Sequence, residues 1–300
     1  MMKKYYDKIS LWSRILNSSF KFTNAKKNSD TVEGAKKFIE KLSKSNSNYN
    51  LPDELGLKKE KIDDMKVYLY NGNIDDNNKK LLYIHGGSYI EEASYFQLKF
   101  AMKIAKKTNS TLVFPIYKLA PKGTYKTMYS FIEKLYDKLL KTNSEINFLG
   151  DSAGGGFVLS FAMYLRDIKI SQPKNIIMMS PWLDISLSNP QTYEDAKNDY
   201  MCGVDGTRYC GELWSDDLDT KNPLVSPMFG DVKKLGKITI IAGGREILKS
   251  DCHKFSKILE SNKIKYNYIE YKGQGHDFGA YPTKEGKMVI EDVSKIINQG

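Results

Sequence analysis

The segment Gly150-Asp151-Ser152-Ala153-Gly154-Gly155 follows directly on the apolar run Ile146-Asn147-Phe148-Leu149. A serine flanked by glycines at this spacing, after a strand and before a helix, is a nucleophile elbow. On so sharp a turn the serine takes a strained backbone conformation, and side chains two residues to either side would collide. Glycine at 150 and 154 removes the collision and leaves the hydroxyl exposed at the top of a sheet. The helix that follows aims its first amides at the same spot, where they can help hold an oxyanion.

Upstream, Lys80-Leu81-Leu82-Tyr83-Ile84 reads as a buried strand, broken by His85-Gly86-Gly87-Ser88-Tyr89. Acyl transfer needs backbone amides converging on the tetrahedral oxygen, and glycines let the backbone come close. A strand running into His-Gly-Gly ahead of the elbow is where such a loop belongs. His85 is expected to hold that loop by hydrogen bonds.

A serine nucleophile needs a base, and the chain has three histidines. His253 follows Asp251-Cys252 and opens a helical pattern, so it reads as a surface or packing residue. His276 lies in Gly275-His276-Asp277-Phe278-Gly279, on a loop just past the strand-like Tyr266 to Tyr271. The chain order serine, acid, histidine makes His276 the base. The acid must then leave the end of an intervening strand. Lys237 to Ala242 is such a strand, and Glu246 stands just beyond it. Asp251, five residues on and inside the next helix, is the alternative acid. Either would fix the imidazole tautomer and support the imidazolium.

These segments resemble the hormone-sensitive-lipase branch of the α/β-hydrolase esterases. The resemblance rests on His85-Gly86-Gly87, Tyr117-Lys118-Leu119-Ala120-Pro121, the elbow, Ser180-Pro181-Trp182-Leu183-Asp184, Asn222-Pro223-Leu224-Val225-Ser226-Pro227, Gly243 through Leu248, and His276-Asp277-Phe278. The motifs run in family order from about residue 81 to about residue 280. The resemblance implies an oxyanion hole made by the amides of Gly86, Gly87 and Ala153. Two positions depart from the pattern: Ser88 replaces a third glycine, and Glu246 stands where relatives more often carry aspartate.

The elements that must position these residues are legible in the spacing. Helical patterns at Tyr95–Lys107 and Thr127–Lys141 alternate with strands at Thr111–Tyr117 and Asn175–Ser180. Such alternation predicts a mostly parallel central sheet flanked by helices, an α/β-hydrolase fold carrying a helical cap. Met65–Tyr70 is expected in its early antiparallel part. With 300 residues and 41% hydrophobic content, one catalytic domain plus a cap is predicted. Residues 51–184 and 222–300 form the core in this reading. Residues 1–50, with amphipathic segments around Leu11–Leu16 and Ala35–Leu42, and residues 185–221, rich in aromatic and sulfur side chains, form the cap.

The formal charge of +10 invites a nucleic-acid or membrane partner, but the pattern does not support one. All but four of the 46 basic residues are lysine, and they are scattered or mixed with acids, as in Lys58-Lys59-Glu60-Lys61. No run of about 18 apolar residues could span a membrane, and no h-region follows Met1-Met2-Lys3-Lys4. Three cysteines, Cys202, Cys210 and Cys252, have neither zinc spacing nor an even count, so a reducing, cytoplasmic setting is expected. No cofactor and no metal are implied. The partner is a small-molecule ester, with no nucleic acid and no stable membrane association, and a homodimer is left open.

The reading is thus a serine carboxylesterase acting on short acyl chains through an acyl-enzyme. An amide- or formamide-cleaving enzyme on the same triad would turn over an anilide faster than the matching ester. A non-catalytic small-molecule receptor on this fold would have no need to keep serine, acid and histidine together.

Overall fold

The computed structural model describes residues 2–23, 25–44, 51–52 and 55–299, so part of the segment 1–50 read as cap (Met1, Asn24 and 45–50) lies outside the described residues. Among them, nine strands form one sheet. In chain order they are β1 (Met2–Tyr6), β2 (Lys58–Ile62), β3 (Met65–Tyr70), β4 (Lys79–Ile84), β5 (Ser110–Pro115), β6 (Ile146–Asp151), β7 (Asn175–Met179), β8 (Lys237–Gly243) and β9 (Tyr266–Tyr271). The helices are α1 (Leu11–Ser19), α2 (Ala25–Asp30), α3 (Val32–Lys44), α4 (Tyr95–Thr108), α5 (Tyr125–Leu140), α6 (Ser152–Asp167), α7 (Gln191–Ala196), α8 (Asp205–Ser215), α9 (Lys249–Ser261) and α10 (Lys284–Gln299). None is long and apolar enough to cross a membrane.

The spatial order is β1-β9-β8-β7-β6-β4-β5-β3-β2. Every pair from β1 across to β5 is parallel, and β3 and β2 are antiparallel. The middle strands are apolar on both faces, so each face must be covered by helices. Leu82, Ile84 and Phe148 enter one core with Phe131, Phe157 and Leu259 of α5, α6 and α9. Leu81, Tyr83 and Leu149 enter the other with Leu98, Phe100 and Val289 of α4 and α10. Predicted and observed elements differ by a residue or two at their ends, as frayed termini do.

Two strands depart from the expectation. The mixed-charge run Lys58–Lys61, to which the spacing assigns no element, forms the edge strand β2, whose exposed charges discourage pairing with another chain. Residues 1–50 are not wholly helical either: Met2–Tyr6 lies parallel along β9 and extends the core sheet. Tyr6 stacks on Tyr271 at 4.5 Å, and Lys4 Nζ donates to Asp292 at 2.7 Å. Its alternating half-buried and exposed residues are the period of a strand, in a run too short to stand out. Through β1, β9 becomes an interior strand, which steadies the loop after it.

The rest of the N-terminal segment joins residues 185–221. Helices α2 and α3 pack on α8. The Gly203 amide donates to Ser29 Oγ at 2.9 Å. Trp214 of α8 stacks on Tyr89 with ring centroids 3.7 Å apart, pressing the helix onto the loop that follows β4.

Candidate active site

Three loops at the C-terminal ends of β6, β8 and β9 converge, which is where open parallel sheets hold ligands. Ser152 follows β6 directly, with φ of 52°, in the left-handed region that a non-glycine residue enters only under constraint. The constraint is packing. A Cβ at Gly150 would lie 2.3 Å from the Gly154 carbonyl oxygen, and one at Gly154 would lie 2.0 Å from that of Ile84. Strand, turn and helix therefore touch backbone to backbone.

His276 Nε2 lies 2.9 Å from Ser152 Oγ, and its Nδ1 lies 2.7 Å from Glu246 Oε2. Glu246 is fully buried, and its other oxygen accepts the Gly243 amide at 2.7 Å. Burial lifts the Glu246 carboxyl above its usual range, against the bonds from His276, Gly243 and Ser180. Those three donors hold the carboxyl against the ring nitrogen it faces.

Asp251 is elsewhere. It sits in the first turn of α9, fully buried, and accepts from Asn189 Nδ2 at 3.0 Å. Burial without a bonded cation pushes its carboxyl up to about 6. His253 is 45% exposed at its side chain and pairs with Glu270 at 2.7 Å, away from Ser152. The structure therefore brings Ser152, His276 and Glu246 together, and leaves Asp251 and His253 out.

His85 is fully buried and stacks on Tyr117 at 4.2 Å, while its Nδ1 meets the Gly86 carbonyl at 2.8 Å. The Tyr117 hydroxyl donates to the His85 carbonyl at 2.8 Å. Burial drops the imidazole to about 4, so it stays neutral and acts as a brace. The braced loop lies over the nucleophile: a Cβ at Gly86 would come within 2.8 Å of Ser152 Cβ. Gly87, with φ of 117°, turns the chain away again. Ala153 is in the first turn of α6, where helix geometry leaves amides without an intrahelical acceptor. Tyr89 OH donates to its carbonyl at 2.9 Å, tying that turn to the loop.

Asp151, beside the nucleophile, is held by the Tyr83 hydroxyl and by Gln97 Nε2 at 2.6 Å. Gln97 also closes the capping box of α4, with Ser94 Oγ accepting its amide at 3.2 Å. The family motifs farther along brace the same end of the sheet. The Trp182 amide donates to the Ser152 carbonyl at 2.9 Å, and the Ile185 amide to Ser226 Oγ at 2.8 Å.

Ser152, His276, Gly86 and Gly87 open into a cavity of about 340 Å³. Phe38 of α3, Phe96 of α4, Met201, Cys202 and Tyr281 also line it, so residues from both 1–50 and 185–221 reach the serine's cavity. Its titratable lining includes His276 and the carboxyls of Glu91, Glu92 and Asp277, each raised by burial, and among the described residues contains no lysine or arginine. Nothing in the sequence around Glu91 or Cys202 marks them as cavity residues, and Asp277 is marked only by its place next to His276. Among the described residues, no group of three or more His, Cys, Asp or Glu side chains could hold a metal.

A family profile described as the alpha/beta hydrolase fold matches residues 81–280. An esterase of Acinetobacter venetianus is 25% identical over 221 residues, covering 72% of this chain and 73% of that protein. A solved structure from Staphylococcus aureus superposes with a TM-score of 0.86 at 26% identity, covering 92% of this chain and 96% of that one. The crystal structure of an esterase from the bacterial hormone-sensitive lipase family gives 0.79 at 20% identity, over 97% and 99% of the two chains, a likeness of fold.

Proposed function

Because the chain belongs to the α/β-hydrolase fold family, we propose that its ester hydrolysis uses Ser152 as nucleophile, His276 as base and Glu246 as the orienting acid. The chain is a carboxylic ester hydrolase, and its motifs resemble those of the hormone-sensitive-lipase branch. The observation that carries the assignment of residues is the unbroken chain of buried hydrogen bonds from Ser152 Oγ through both ring nitrogens to Glu246.

In this mechanism His276 Nε2 takes the Ser152 proton as Oγ attacks the ester carbonyl. The amides of Gly86, Gly87 and Ala153 receive the resulting oxyanion, and Glu246 stabilises the imidazolium. Collapse breaks the ester C–O bond, and His276 returns its proton to the leaving alcohol. A water molecule, deprotonated by the same imidazole, then attacks the acyl-enzyme and frees the acid and the serine.

Residues 185–221 and the helical part of 1–50 act as a cap in this reading. Phe38, Met201 and Cys202 support it, since both segments reach the cavity. The strand β1 belongs with the core. A cavity of about 340 Å³ walled by Phe38, Phe96 and Tyr281 favours short acyl chains over long ones. Once Glu91, whose carboxyl burial pushes up to about 7, is ionised, the lining favours neutral or cationic esters over anionic ones. Three free cysteines accord with a reducing, cytoplasmic setting.

The test is labelling and loss. An organophosphonate should modify Ser152 stoichiometrically, and Ser152→Ala should lose about 10³-fold or more in kcat while remaining folded. Near-normal ester hydrolysis by that variant would refute the assignment.

A further inference from the structure

Between the loop that carries Glu246 and the loop that walls the cavity stands one buried carboxylate, Asp199, 1% exposed. Its Oδ2 accepts the amide of Ile247, the residue directly after Glu246, at 2.9 Å. Its Oδ1 accepts the amides of Met201 at 2.7 Å and Cys202 at 3.0 Å, the two cavity residues. Tyr200 repeats the grip on the other side of the acid. Arg245, the residue directly before Glu246, donates from Nη2 to the Tyr200 hydroxyl at 2.6 Å. Lys21 Nζ lies over the Tyr200 ring, 4.6 Å from its centroid, and Lys26 Nζ donates to the Asp199 carbonyl at 3.0 Å. Two consecutive residues of the segment 185–221 thus hold both chain neighbours of Glu246.

Hydrogen bonds to a carboxylate are shorter and stronger than neutral ones, and these three meet rigid backbone amides. Fixing the Ile247 amide fixes the direction in which the Glu246 side chain leaves the chain. That direction matters, because misplacing a catalytic group by about 1 Å can cost on the order of 10²-fold in rate. We propose that Asp199 is a positioning residue for Glu246, with Tyr200 as the second arm of the same clasp. Asp199 touches neither substrate nor imidazole and acts through the acid. The inference rests on reading Glu246 as the triad acid.

The test is a double-mutant cycle with native protein, Asp199→Asn, Glu246→Gln and the double variant. Each is assayed with p-nitrophenyl acetate across a pH series, alongside thermal unfolding. Asp199→Asn should lower kcat on the order of 10-fold, with KM changed by less than about threefold. Its acid limb in kcat/KM should move to lower pH, since a loosened carboxylate supports the imidazolium less. In the double variant, Asp199→Asn should cost almost nothing further, because the group it positions is already disabled. Multiplicative losses, or a change confined to KM, would overturn the proposal. Native-like activity in Glu246→Gln alone would bring down the triad reading and the clasp with it. Should Asp199→Asn not fold, Tyr200→Phe takes its place in the cycle, and multiplicative losses there overturn the proposal equally.

Discussion

Asp277 Oδ2 stands 3.4 Å from Nε2 of His276, the ring nitrogen that also meets Ser152 Oγ at 2.9 Å. Burial acts to lower the imidazole pKa, yet Asp277, the Cys202 thiol and Glu246 together hold it well above the ordinary histidine value. The base must be neutral to accept the serine proton, so activity falls as pH drops through this raised value. The acid limb of kcat/KM should therefore lie above the ordinary histidine range. Asp277→Asn removes the carboxyl that faces Nε2 and should move that limb to lower pH, with the plateau rate largely kept. A kcat/KM profile for p-nitrophenyl acetate decides it, and an unmoved limb counts against Asp277 as the cause.

Glu246 and Asp251 should behave in opposite ways. Glu246→Gln leaves the imidazole's tautomer and charge unsupported, so kcat should fall by about 10²-fold or more with the fold intact. Asp251→Asn keeps the oxygen that Asn189 bonds, so activity should change little. Stability should respond instead. The folded Asp251 carboxyl titrates at about 6 against 3.8 for the free group. A raised acid binds its proton more tightly folded than unfolded, so it lowers stability as pH rises from about 4 to about 6. Melting curves over that interval should show a smaller decline in Asp251→Asn than in the native chain.

Two glycines near the site differ in how much room they have. At Gly154 an added methyl meets the Ile84 carbonyl oxygen at 2.0 Å, backbone that cannot step aside. Gly154→Ala should cost about 3 kcal/mol or more and abolish ester hydrolysis. At Gly275, beside His276, the nearest atom to an added methyl is Asn17 Oδ1 at 3.8 Å. Gly275→Ala should stay within about 1 kcal/mol of the native stability and remain active. Denaturant unfolding of both variants gives the ranking.

Substrate charge and length form the last expectation. With Glu91, Glu92 and Asp277 beside His276 in the cavity and, among the described residues, no lysine or arginine, an ester bearing a carboxylate should react more slowly than its neutral analogue once Glu91, pushed up to about 7 by burial, is ionised. The penalty should be on the order of 10-fold and shrink at high salt. Along a p-nitrophenyl series from acetate to palmitate, each methylene that fits adds about 0.8 kcal/mol of apolar burial, until chains must displace packed rings. The maximum should fall at about two to six carbons. A maximum at long chains, with a jump once substrate forms an interface, would point to a lipase.

What the sequence determined by itself was the chemistry set by immediate neighbours. The elbow is legible at Ser152 because Gly150 and Gly154 answer a clash that any backbone turning so sharply would meet. The His-Gly-Gly loop is legible for a similar reason, and the parallel sheet follows from apolar strands alternating with amphipathic helices. The choice between Glu246 and Asp251 was not local, since both lie past β8 and only the packing of α9 decides which carboxyl faces His276. The strand at Met2–Tyr6 needed β9, from the far end of the chain, to exist at all. Asp199 looks like any acid among polar residues until folding sets it between two loops some fifty residues apart in sequence. Motifs record what a residue demands of its own backbone; which distant groups share a buried hydrogen bond is decided when the sheet brings its strand ends together.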